Sequence, residues 1–264
     1  MPNLPIGIFD SGIGGLSVAR AIIDLLPSEP FLYFGDTARI PYGTKPADTI
    51  RQYSLDITRY LIESGAKAIV VACNTASAAA LGTLRAAWPD IPIVGMEPAV
   101  KPGANATQTG VVGVLATAGT FKSQRYADLM QRYASGITLL EDPCIGLVEQ
   151  IEAGELDTPA TRQLLEAILL PMIWQQADTF VLGCTHYPFV APLLQDIIGP
   201  ERTIINPAPA VARQLQRVLT EHHLLASPSA ETRHQLFFSG PLQGTKALAR
   251  HMIGPDFTVE RLSM

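Results

Sequence analysis

AIVVACNTAS, residues 68–77, runs from an apolar, β-branched strand through a small residue into a cysteine, then into polar residues that can open a helix. TFVLGCTHYP, residues 179–188, does the same a second time. A short apolar run followed by a helix-length periodic stretch is the pattern of a βα unit in a parallel sheet. Working outward from these two, further strand-like runs stand at 6–9, 31–34, 93–94, 110–115, 137–140, 203–205 and 235–238, and 210–222 has the periodicity of a helix. Residues 7–15 (GIFDSGIGG) pair with 112–120 (VGVLATAGT) as the two cysteine strands pair with each other, which suggests an internal duplication. The fold class expected is therefore α/β, with two similar parallel-sheet domains.

Two breaks in the strand-helix rhythm mark where the chain crosses between them. Residues 97–109 (EPAVKPGANATQT) hold two prolines, a glycine and no apolar period, and residues 206–209 are NPAP. The expected division is 1–97 with 208–264 as a discontinuous first domain and 98–207 as the second. At 264 residues and 47% hydrophobic, the chain is long enough for two small cores.

The net charge of −5, with no basic run, argues against a nucleic-acid partner. Apolar runs are strand-sized, too short to span a bilayer, and the first ten residues lack the features of a secretion signal, so no membrane partner is expected and the location expected is cytoplasmic. Three cysteines without CxxC spacing suggest free thiols rather than disulfides or a metal site.

In open α/β sheets ligands bind beyond the carboxyl ends of the strands, where Asp10, Cys73 and Cys184 all fall. Each cysteine precedes an expected helix start, with Asn74, Thr75 and Ser77 able to cap the first and Thr185 with Pro188 suited to the second. A helix N-terminus can lower a thiol to about 3.5–7.5, so both cysteines are expected to be bases near neutral pH. Taken singly, either is as well explained as a small core residue, and Cys144, in no such context, is read as structural. The loop Asp10-Ser11-Gly12-Ile13-Gly14-Gly15 makes a backbone nest for an anion. It falls one residue short of GxGxxG, with Ser17 at the third glycine, and Asp10 would repel a pyrophosphate, so a dinucleotide is not favoured even though Asp36 stands where a ribose-binding acid would. Asp10 has a plain alternative in fixing its own loop. Glu152, with Glu149 and Glu155 three residues to either side, has one as part of a solvated helix face, and His186 has one as a locally bonded residue.

With those residues in view, the sequence resembles the glutamate racemases of bacterial cell-wall synthesis. The segments that carry the likeness are IFDSGIGGLSV (8–18), GDTARIPYG (35–43), VVACNTASA (70–78), GVLATAGTFKSQRY (113–126) and VLGCTHYP (181–188), in order over most of the chain. The two cysteine motifs together are specific, whereas either alone points only to the wider aspartate/glutamate racemase superfamily. The resemblance implies a site at the interface of two α/β domains. It implies that Cys73 and Cys184 are the two bases, acting on the D- and L-enantiomer respectively. Asp10 would assist Cys73, and Glu152 and His186 would assist the opposite side. Substrate contacts would come from Asp10, Ser11, Pro41, Tyr42, Gly43, Asn74, Thr75, Thr185 and His186. Glutamate would be the substrate, no cofactor or metal would be needed, and the product would serve peptidoglycan synthesis. The likeness also admits a homodimer and, in some bacteria, activation by a cell-wall precursor. Residues 206–209 and the helix of Glu152, where Glu149 replaces a proline of some relatives, match the family pattern least.

Other readings separate by experiment. A racemase for aspartate differs in its substrate panel, and a Cys184–His186 hydrolase would form an acyl-enzyme and leave Cys73 without a role. A binding protein would take up ligand without exchanging its α-proton.

Overall fold

Strand β1 (Ile6–Asp10) is buried at all five positions, and so is β2 (Phe31–Gly35), as strands with helices on both faces must be. They belong to a computed structural model that describes residues 2–228 and 232–262. With β3 (Ala68–Val71), β4 (Ile93–Val94), β9 (His234–Phe238) and β10 (Phe257–Arg261) they form a six-stranded sheet in the order β10-β9-β2-β1-β3-β4. A second sheet takes β5 (Val111–Leu115), β6 (Thr138–Asp142), β7 (Thr179–Leu182) and β8 (Thr203–Ile205) in the order β6-β5-β7-β8. Every pairing is parallel. The order 2-1-3-4 in the first sheet recurs as 6-5-7-8 in the second, so the likeness between the two cysteine motifs extends to topology. In each sheet the chain turns back between two central strands, β1 and β3 or β5 and β7, and that reversal opens a ligand crevice at their carboxyl ends.

The helices are α1 (Leu16–Leu25), α2 (Ala47–Glu63), α3 (Asn74–Ala87), α4 (Val100–Ala106), α5 (Ala118–Phe121), α6 (Gln124–Tyr133), α7 (Leu147–Glu152), α8 (Pro159–Trp174), α9 (Ala191–Ile198), α10 (Ala208–Glu221) and α11 (Thr245–Ile253). One apolar core runs unbroken from Ile8, Ile13 and Tyr33 on the first sheet's side to Leu115, Leu147 and Tyr187 on the second's. Helix α10 packs on α1, so the chain returns to the first sheet, where β9 and β10 extend the edge beyond β2.

Two expectations change here. Residues 97–109 are not a structureless crossing: α4 lies within them, and Gly103 lets it sit on β7, since a Cβ there would stand 2.7 Å from Val181 Cγ2. The second cysteine does not open an α-helix. Cys184 is followed by a 3-10 turn (Tyr187–Val190) and only then by α9, so Thr185 and Pro188 begin no α-helix there. Among the described residues no helix is long and apolar enough to cross a membrane.

At the opposite end of the first sheet from the crevice, Lys67 Nζ lies 2.5 Å from Glu29 Oε2, both side chains 2% exposed, and Glu29 Oε1 accepts the Ala226 N–H at 2.7 Å. Removing one partner of a buried pair strands the other. Lys67→Met is therefore expected to lower unfolding stability by about 3 kcal/mol in urea titration, and adding Glu29→Gln should restore most of it.

Candidate active site

Strand β3 leads through Ala72 to Cys73, whose extended backbone (φ −142, ψ 121) makes it the N-cap of α3, with Sγ accepting the Ala76 N–H at 3.4 Å. Its thiol also reaches Ser11 Oγ at 3.8 Å. The expectation of a lowered thiol fails here. Burial pushes Cys73 well above the ordinary thiol range and the neighbouring Asp10 charge adds to that, while the helix-terminal N–H opposes it with less effect.

Asp10 ends β1 with no exposure. Its Oδ2 accepts the Gly15 N–H at 2.9 Å and the Gly12 N–H at 3.3 Å, so it does fix its own loop, but Oδ1 also takes the Thr185 hydroxyl of the second half at 3.5 Å. Burial raises its carboxyl above the usual range, against the pull of the His186 charge.

Glu152, the last residue of α7, turns inward while Glu149 and Glu155 stay exposed. Its Oε1 accepts the Ile13 N–H at 2.7 Å and lies 2.7 Å from His186 Nε2. His186 Nδ1 is in turn 3.7 Å from Cys184 Sγ. Burial disfavours a charged ring, yet the hydrogen bonds to Cys184 and Glu152 prevail and hold His186 well above the ordinary imidazole value. That raised value favours the imidazolium, the form able to donate from both ring nitrogens.

The glycines of the 10–15 loop serve this contact. A Cβ on Gly12 would stand 2.1 Å from Glu152 Oε1, and one on Gly14 would stand 2.4 Å from His186 Nδ1. The nest holds the carboxylates of Asp10 and Glu152, which leaves a pyrophosphate no place. Ser17 donates to the Thr185 carbonyl at 2.9 Å, and Asp36 accepts from Tyr42 OH at 2.6 Å and from Ser239 Oγ at 2.8 Å, so neither takes part in a dinucleotide site.

Cys73 and Cys184 line one narrow cavity between the two sheets' carboxyl ends, together with Ser11, Pro41, Tyr42, Gly43, Asn74, Thr75, Thr185 and His186. Asp10 and Glu152 are not on that wall, and each lies behind it. Ile40, Thr117, Val148 and Gly183 complete the lining and were not singled out by sequence. Thr117 falls in the segment that the repeat pairs with the Asp10 loop, a signal that could have found it. Both polar atoms of the Asn74 side chain are buried without a protein partner, so a polar ligand in the cavity would satisfy them. Among the described residues no cluster of three His, Cys, Asp or Glu could hold a metal ion.

The family model of Asp/Glu/hydantoin racemases matches residues 6–215, a stretch that takes in every residue of that wall. A glutamate racemase of Ectopseudomonas mendocina is 52% identical over 256 residues, 97% of either chain. The chain belongs to the glutamate racemase family. That places it among the isomerases, and two solved members of the family share its fold over nearly the whole length. The glutamate racemase of Francisella tularensis, in complex with D-glutamate, superposes with a TM-score of 0.85 at 29% identity, covering 100% of this chain and 98% of its own. That of Escherichia coli, in complex with L-glutamate and the activator UDP-MurNAc-Ala, has a TM-score of 0.85 at 32% identity and covers 98% of both. Glutamate racemase membership also weighs against the hydrolase reading, for which Cys184, His186 and Glu152 alone would suffice.

Proposed function

We propose that this chain interconverts L- and D-glutamate without a cofactor, one of Cys184 and Cys73 removing the α-proton and the other returning a proton to the opposite face, and that it supplies D-glutamate for peptidoglycan synthesis in the cytoplasm. The observation that carries the reading is the convergence of two thiols, from equivalent strand ends of two like sheets, on one cavity. We take 1–97 with 208–264 as one domain and 98–207 as the other, each built on its own sheet.

For L-glutamate, the Cys184 thiolate, paired with the His186 imidazolium, takes the α-proton and becomes a thiol. The electron pair left on Cα spreads into the substrate carboxylate. Cys73, kept a neutral thiol by burial, gives its proton to the opposite face and becomes a thiolate; the reverse passage handles D-glutamate. Glu152 orients His186 through its Nε2, and Asp10 stands by Cys73 with a carboxyl raised towards its protonated form. Hydroxyls of Ser11, Thr75 and Thr185 and the amide of Asn74 can donate to the carbanion's carboxylate, each such donor being worth about 2.7–4 kcal/mol in a transition state.

The narrow cavity measures about 20 Å³, room for about one water. The two halves therefore part to admit an amino acid and close to exclude solvent. In deuterated water with no added cofactor, either glutamate enantiomer is expected to gain deuterium at Cα and yield the other on chiral chromatography. If glutamate shows no exchange and no inversion, the reading fails, and turnover of aspartate instead would move the chain to the sister activity.

A further inference from the structure

A cleft of about 620 Å³ abuts the narrow thiol cavity and shares Gly43 and Thr75 with its wall. The clefts beside Met96 and Pro207, and beside Leu4 and Leu225, share no residue with it. What separates cleft from cavity is a seam between the halves, where the 3-10 turn Tyr42–Thr44 lies on α5. The backbones touch there: a Cβ on Gly43 would stand 2.9 Å from Thr117 Cβ, and one on Gly119 would stand 3.0 Å from Gly43 O. One hydroxyl pair, Thr75 with Thr117 at 2.9 Å, spans the seam, and among the described residues no ion pair joins the turn to α5, the pair of Glu97 with Arg125 linking the halves outside it.

A lysine follows each lip. Lys45 ends the turn, its N–H donating to Tyr42 O at 3.0 Å, and Lys122 ends α5, its N–H donating to Ala118 O at 3.1 Å. Both line the cleft, whose described walls carry no carboxylate. Arg51 also lines it, but its guanidinium is tied to Asp48 and to the Ala79 carbonyl. The cleft is thus a positive locus on a chain of net charge −5. A cleft lined by one sign of charge concentrates ligands of the other and speeds their capture by a factor of about 10–10³, less as salt rises.

We propose that this cleft is the port through which an anionic amino acid reaches the thiols, with Lys45 and Lys122 gathering it and the Gly43–Gly119 seam parting to let it pass. The choice of a dicarboxylate as cargo rests on the function proposed above. The port itself can be tested without it, using two thiol reagents alike in size and unlike in charge. Alkylation of Cys73 and Cys184 by anionic iodoacetate and by neutral iodoacetamide is followed by mass spectrometry. In the Lys45→Glu/Lys122→Glu variant the iodoacetate-to-iodoacetamide rate ratio is expected to fall about tenfold, with the iodoacetamide rate held. The kcat/KM for glutamate should fall alongside, with kcat kept, and the milder Lys45→Gln/Lys122→Gln variant should flatten its salt dependence. Lys101→Glu, at the cleft beside Met96, should leave the ratio alone. An unchanged ratio in the double reversal, or an equal fall with Lys101→Glu, overturns the port even if glutamate is racemised. A lowered ratio in a protein that does not racemise glutamate upholds the port and removes the cargo.

Discussion

Cys73→Ala and Cys184→Ala are each expected to lower glutamate racemisation by a factor of about 10³ or more, at the upper end of what one positioned acid or base supplies. The equilibrium constant between mirror-image amino acids is one, so kcat/KM must fall equally in both directions whichever thiol is removed. What tells the two apart is exchange. The thiol that remains can still take and return a proton on its own face, so Cys73→Ala should wash deuterium into L-glutamate alone and Cys184→Ala into D-glutamate alone, each without inversion. Mass spectrometry of both enantiomers after incubation in deuterated water reads this directly. Full racemisation by either variant would remove the two-base mechanism.

The second large effect is expected at the Glu152–His186 pair. On the proposed mechanism His186→Asn removes the ring 3.7 Å from the Cys184 sulfur, and a loss of about 10²–10³ in kcat/KM is expected, with Glu152→Gln milder because the ring keeps its contact with the sulfur. The same pair also sets a pH dependence of stability. Since His186 is held above the ordinary imidazole value, the stability it brings is complete below about pH 6.5 and is lost as pH rises through its raised folded value. Wild-type stability should therefore decline on the alkaline side of neutrality, with a smaller decline in Glu152→Gln, measured by urea titration across that range.

Most of the sheet architecture was legible because parallel strands covered on both faces need continuous apolar runs, and 6–9, 31–34 and 179–182 have no other use. The last helix and strand, α11 and β10, escaped because β10 sits at an edge: Thr258, Glu260 and Arg261 are exposed, which breaks the apolar run that marked the others. Helix α4 was hidden by its proline and glycine, one near the first turn and one pressed on a strand. At the site, strand-end position marked the two cysteines, and the family resemblance supplied most of the other residues of the wall. Protonation was not legible. The helix-terminus argument for Cys73 was sound as a local effect, but burial outweighs it, and burial depends on the other half of the chain. Glu152 shows the same limit from the other side: spacing grouped it with two solvated acids, and only its place at the end of a six-residue helix turns it towards His186.

The recurrence of 2-1-3-4 as 6-5-7-8 bears on handedness. A catalyst that treats two mirror images alike would be simplest with mirror-related walls, but a polypeptide of L-residues cannot build its own reflection. Doubling a unit gives rotation in place of reflection, so the two thiols can be matched while their surroundings cannot. The carboxyl of Asp10 has Leu115 at the matching strand end, and Thr75 stands two residues after its cysteine where His186 does after the other. Unequal helpers beside equal thiols are what rotation leaves when the chemistry asks for a mirror, and they should give the two enantiomers different KM and kcat values whose ratios nonetheless agree.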